Sequence, residues 1–145
     1  MFREATRRDL PAVLGLYAQL HRDDPVLSTA EAGRHFGRIS GSADLHLFVW
    51  ELNGEAIATT YLNVIPNLTR GGAPYAIIEN VVVDEAHRGQ GIGKQIMAAT
   101  LDVAWDAGCY KAELTTGSQR ESTHAFYRAC GMSSDSKTAF IARPI

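Results

Sequence analysis

Apolar residues change their spacing several times along the chain, and each change marks an element. Leu10, Val13, Leu14, Tyr17 and Leu20 recur every three or four positions, the spacing of one buried helical face. Residues 6–11 read as the start of that helix, with Asp9 available to the first-turn amides and Pro11 just inside. A short strand over residues 2–5 precedes it. A second helix is expected over residues 29–39, although Gly33 and Gly37 weaken it. The spacing then shortens. Residues 45–52 form a nearly continuous apolar run that meets Asn53-Gly54, a hairpin signal, and a returning strand follows over residues 56–64. After a loop at residues 66–74, residues 75–83 are β-branched and almost wholly apolar, as in a central strand covered on both faces.

The longest helical pattern covers residues 91–107. Ile92, Ile96, Ala99 and Val103 form one row, with Met97, Leu101 and Ala104 beside it and Gly108 as the stop. A strand at residues 110–116, a helix at residues 119–130 closed by Gly131, and a last strand at residues 139–143 complete the reading. The pattern predicts an α/β (α+β) fold with an antiparallel hairpin inside it.

Composition narrows the possibilities. The 145 residues fit one domain spanning the whole chain, large enough for a core without disulfides. With 14 Lys and Arg against 16 Asp and Glu, there is no basic excess to bind nucleic acid. Cys109 and Cys130 fit no disulfide or Cys-x-x-Cys pattern, and the five histidines show no metal-ligand spacing, so no metal is expected. The first residues are charged where a signal peptide is apolar, and no run approaches the roughly 18 apolar residues of a membrane span. A cytoplasmic protein without membrane or nucleic-acid partners is expected.

The segment between the central strand and the longest helix carries the most chemical information. In Arg88-Gly89-Gln90-Gly91-Ile92-Gly93-Lys94, alternating glycines let the backbone approach a ligand with its amides outward. The helix start adds unpaired donors and roughly half a positive charge, which suits a phosphate, with Arg88 and Lys94 at the rim. The Walker pattern fails, because Arg88 and Gln95 stand where Gly and Ser or Thr are needed. The dinucleotide fingerprint fails at Lys94.

Arg88-x-x-Gly91-x-Gly93 instead resembles the R/Q-x-x-G-x-G/A motif of the GNAT (general control-related N-acetyltransferase) superfamily. The strand residues Ile78 to Val83 before it resemble the family's central strand in register. Further on, His124-Ala125-Phe126-Tyr127-Arg128-Ala129-Cys130-Gly131-Met132 resembles the F-Y-x-x-x-G-F segment. The resemblance covers essentially the whole chain. It implies a mixed, mostly antiparallel sheet of about six to seven strands flanked by about four helices. It also implies acetyl transfer from acetyl-coenzyme A to an amine. By the same resemblance, the pyrophosphate sits on the amides of Arg88, Gly89, Gln90, Gly91, Ile92, Gly93 and Lys94. The pantetheine arm pairs with Val81, Val82 and Val83.

Two side chains stand out for the chemistry. Neutralising an alkylamine of pKa near 10.4 at pH 7 costs about 4.6 kcal/mol, so a general base is useful. Glu79 is the candidate, a carboxylate within an apolar strand. Strict alternation puts it on one face with Ile77, Val81 and Val83, and burial there would make it a stronger base. Alternatively it pairs with Arg88 or only binds the amine. Tyr127 aligns with the family tyrosine that protonates the departing thiolate. Arg120 and Thr123 depart from the family's Asn and Ala at those positions. The implied acceptor is a small-molecule amine, with a protein amine or a non-catalytic coenzyme A-binding role as alternatives. Family acceptor sites map to residues 21–42, residues 65–75 and the segment before Phe140. Family members often dimerise, so a homodimer is compatible with the resemblance.

Overall fold

Five strands form one sheet in chain order, β1 (Phe2–Glu4), β2 (Leu45–Leu52), β3 (Glu55–Ile65), β4 (Tyr75–Val83) and β5 (Ala112–Glu113). The first four are antiparallel, and β4 pairs with β5 in parallel. The computed structural model describes residues 1–145 and divides into two compact units, Met1–Leu114 and Thr115–Ile145. Helices α1 (Leu10–Leu20), α2 (Thr29–Ser40) and α3 (Ile92–Asp106) belong to the first unit, and α4 (Glu121–Ala129) to the second. No helix is long and apolar enough to cross a membrane.

The sheet has fewer strands than the six to seven expected. Residues 139–143 form no strand and pair with none of the five; Phe140 and Ile141 lie exposed, and β propensity without a paired neighbour does not make a strand. The strand expected at residues 110–116 shrinks to Ala112–Glu113.

Each face of the sheet carries its own core. On one, α1 and α2 bring Leu10, Val13, Ala32 and Phe36 against Leu47 and Val49 of β2. On the other, Ile92 and Ile96 of α3 meet Ile57 and Ala58 of β3. Thr60 and Thr100 are fully buried there with hydroxyls 2.7 Å apart. Thr100 donates to the Ile96 carbonyl at 2.7 Å, so Thr60 donates to Thr100 and neither hydroxyl is orphaned.

The start of α1 differs from expectation. Arg7–Asp9 forms a 3-10 turn, and the Asp9 carboxylate turns back to the Thr6 N–H (2.6 Å) instead of capping α1. Arg3 grips both oxygens of Asp9 at 2.8 and 2.9 Å and reaches Glu51 through Nε at 2.6 Å. This pairing holds the nearly buried Asp9 well below the usual carboxylate range, at about 2.

Helix α2 forms despite its two glycines. Ser28 and Glu31 make a reciprocal capping box, with Ser28 Oγ accepting from the Glu31 N–H at 3.2 Å. The glycines make room for Arg7, whose guanidinium donates to the Gly33 carbonyl at 3.2 Å. A Cβ on Gly33 would stand 2.9 Å from that guanidinium.

Candidate functional site

β4 is interrupted by a bulge. Val83 pairs with Ala58 and Val82 with Thr59, yet Glu79 pairs with Tyr61, so Thr60 faces both Asn80 and Val81. Asn80 takes the left-handed conformation at φ 52°, which Asn tolerates better than β-branched residues. The extra residue reverses the alternation expected from the sequence. Glu79 shares a face with Tyr61, the face packed by α1 and α2, while Val83 lies on the α3 face. Glu79 is exposed, so the burial expected to strengthen it as a base is missing. Arg88, its partner in the alternative reading, donates instead from Nε to the Val83 carbonyl at 3.0 Å.

A buried phenol secures the bulge. The Tyr17 hydroxyl of α1 hydrogen-bonds to the side chains of Thr59 and Asn80, and burial pushes its pKa up to about 12. Sequence spacing assigned Tyr17 only to a packing face, and nothing local in the sequence points it at Asn80. A cavity of about 150 Å³ opens on the same face, lined mainly by apolar side chains with Tyr17, Tyr61 and Asn80 among them.

Two features around β4 suit a long ligand with an anionic end. β5 covers only Ala76 and Ile77, so from Ile78 to Val83 that edge of β4 has no strand partner. An extended amide-bearing chain can pair there. The turn after β4 then delivers a helix start. Gly89 and Gly91 have φ of 77° and 81°, whereas Gly93 lies inside the first turn of α3. No side chain caps α3, and its first backbone bond is from the Gln95 N–H to the Gly91 carbonyl at 3.1 Å. The amides of Ile92, Gly93 and Lys94 precede that bond and stay available to an anion.

The first unit thus contains Glu79, Val81–Val83 and the segment from Arg88 to Lys94. Tyr127 lies in the second unit, half-buried on α4, where burial and the neighbouring Cys130 thiol raise its phenol above the usual value. In the same unit His124 Nε2 lies 2.7 Å from the Ser118 carbonyl, and Ser118 Oγ donates to Thr123 Oγ1 at 2.9 Å, so both side chains have local partners.

Known proteins share this arrangement of elements. The model of the acetyltransferase (GNAT) family matches residues 12–132. A glucosamine 6-phosphate N-acetyltransferase of Trypanosoma brucei brucei is 29% identical over 123 residues, covering 85% of this chain and 82% of that protein. A protein of Agrobacterium tumefaciens str. C58, provisionally described as an acetyltransferase, is 43% identical, with 99% of each chain covered and a TM-score of 0.94. The crystal structure of glucosamine-6-phosphate N-acetyltransferase from Arabidopsis thaliana superposes with a TM-score of 0.86 at 27% identity, covering 99% of this chain and 97% of that one. The chain belongs to the acetyltransferase (GNAT) family, and with it to the acetyl-coenzyme A-dependent N-acetyltransferases.

Proposed function

We propose that this enzyme acetylates the primary amine of a small phosphorylated amino sugar, with residues 1–145 working as one catalytic domain. The observation that carries this reading is the relatives' shared activity: both the trypanosomal and the plant protein are named for glucosamine 6-phosphate. In this reading the coenzyme pyrophosphate rests on the amides from Arg88 to Lys94, and the pantetheine arm runs along Val81–Val83. Tyr127 protonates the leaving thiolate. Glu79 binds the acceptor amine and takes its proton, directly or through water.

An exposed Glu79 suits such an acceptor better than it suits a lysine. An amine beside electron-withdrawing oxygens titrates nearer the α-amino range of about 7.7–8.0, so neutralising it at pH 7 costs only about 1 kcal/mol. A strongly perturbed base is then unnecessary.

The test is thiol release from acetyl-coenzyme A over an acceptor panel. Glucosamine 6-phosphate is expected to exceed glucosamine, free amino acids, polyamines and a lysine peptide in kcat/KM. Turnover confined to the peptide would replace this reading with protein acetylation. Coenzyme A binding without turnover on any amine would replace it with a binding module.

The coenzyme loop gives a second expected outcome. Gly91→Ala places a Cβ in ordinary contact with Gln95, 3.8 Å away, so its cost is conformational. Holding φ at 81° is expected to cost about 1–2 kcal/mol of stability in urea unfolding. Coenzyme A should bind at least about tenfold more weakly, measured by calorimetry.

A homodimer belongs to the same reading. Phe140 and Ile141 are 92% and 64% exposed, adjacent apolar residues with no cover within the chain. Light scattering is expected to give twice the chain mass, and Phe140→Asp to reduce it to one. A monomeric native protein would remove the dimer.

A further inference from the structure

The turn that leads into the coenzyme loop lacks an apolar anchor. No side chain between Val82 and Ile92 is buried, and Gly89 and Gly91 add backbone freedom. Its position therefore depends on polar links. Three are local: His87 Nδ1 lies 2.7 Å from Asp84 Oδ2, the His87 N–H donates to the Asp84 carbonyl at 2.8 Å, and Arg88 reaches the Val83 carbonyl. Links to other elements come from β3, whose Ile57 carbonyl accepts from the Asp84 N–H at 2.8 Å, and, through side chains, from the end of α1 and the residue just after it. Gln19 Nε2 donates to Asp84 Oδ1 at 2.8 Å, and Gln19 Oε1 accepts from the Glu85 N–H at 2.9 Å. The Glu85 amide can only donate, which fixes the orientation of the Gln19 amide group. Arg22 adds an ion pair to Glu85 at 3.3 Å with both side chains exposed, the kind that contributes little.

We infer that Gln19 is a positioning residue for coenzyme A: it holds the strand end of the pyrophosphate loop while α3 holds the other. The inference rests on the proposed reading of that loop as the pyrophosphate site. Gln19 acts through Asp84 and the Glu85 amide, not on the coenzyme itself. It fixes the carboxylate and amide from which the segment Ala86 to Gly91 departs, so the amides of Arg88 to Lys94 converge before the ligand arrives. Preorganisation of this kind lowers the ordering cost of binding. The two hydrogen bonds span 65 and 66 residues of sequence. They tie the helix that also holds the β4 bulge through Tyr17 to the loop beyond that strand.

The experiment uses the full chain and reads coenzyme A affinity by calorimetry beside KM for acetyl-coenzyme A and for acetyl-pantetheine, which lacks the pyrophosphate. Gln19→Met removes both hydrogen bonds at similar volume and is expected to weaken coenzyme A about tenfold. KM for acetyl-pantetheine should stay within about twofold of native. Gln19→Glu sets a second carboxylate against Asp84 and should weaken coenzyme A further. Adding Asp84→Asn to that variant supplies a donor facing it and should restore affinity to within about twofold. Equal losses for both acetyl donors would mean general damage to the site and would overturn the inference. So would native affinity in Gln19→Met, or no recovery in the double variant. If the native protein failed to bind coenzyme A, the reading of the loop would fall and this inference with it. Native binding left unchanged by Gln19→Met would remove this inference alone.

Discussion

Tyr127→Phe is expected to lower kcat about a hundredfold while coenzyme A binds as tightly as before. The substitution deletes one hydroxyl and keeps the ring on α4. Burial, with the Cys130 thiol adding to it, holds the phenol above its usual value near 10. Tyr127 is therefore protonated at any working pH, the form a general acid needs. Its proposed partner is a thiolate whose acid has pKa near 8.5. The thiolate departs more easily when a proton arrives as the carbon–sulfur bond breaks. Steady-state thiol release at saturating acceptor checks the rate, and calorimetry with coenzyme A checks that binding is intact. A kcat within twofold of native would show that Tyr127 is not the acid. A parallel loss of binding would make it a structural residue.

The largest effect on stability is expected at Asp9. Its carboxyl titrates at about 2 in the folded protein against an ordinary 3.8, with the Arg3 hydrogen bonds the largest cause. A lowered folded value means the charged form stabilises the fold. That contribution, about 2 kcal/mol, is complete above roughly pH 4 and is lost as pH falls from 3.8 towards about 2. Asp9→Asn removes the charge and leaves Glu51 as the one carboxylate paired with Arg3. Urea unfolding at pH 7 should place the variant about 2 kcal/mol below native, and the gap should narrow by pH 2. A gap that is absent at pH 7, or unchanged at pH 2, would sink this account.

Much of the architecture is local and therefore legible. The hairpin follows from Asn53-Gly54, the two residues of its turn with φ of 51° and 84°. The register of β4, loop and α3 follows from a β-branched run, spaced glycines and a helical apolar pattern, of which Ile92 and Ile96 from one row and Met97 and Ala104 from the row beside it are buried, with Ala99 and Val103 partly so. The anion-binding character proposed for the loop rests on backbone amides at a helix start, so chain order alone predicts it. At Asp9, chain position is not enough. Position predicts a cap for α1, but Arg3 and Thr6 compete for the same carboxylate and prevail.

By itself the sequence determined the order of elements, the glycine loop and the family, because each depends on residues near one another in the chain. Tertiary structure alone decided the face on which Glu79 lies. Alternation predicts Glu79 beside Val83, and the bulge opposite Thr60 separates them. A bulge is a mismatch in length between two strands, so neither strand records it separately. The same holds for the contacts at the end of α1. Tyr17 meets Asn80 and Gln19 meets Asp84 because helix and sheet pack together, across a separation that periodicity cannot span. Residues 139–143 show the converse: their β propensity is present in the sequence, but a strand also needs pairing, and none of the five strands pairs with them.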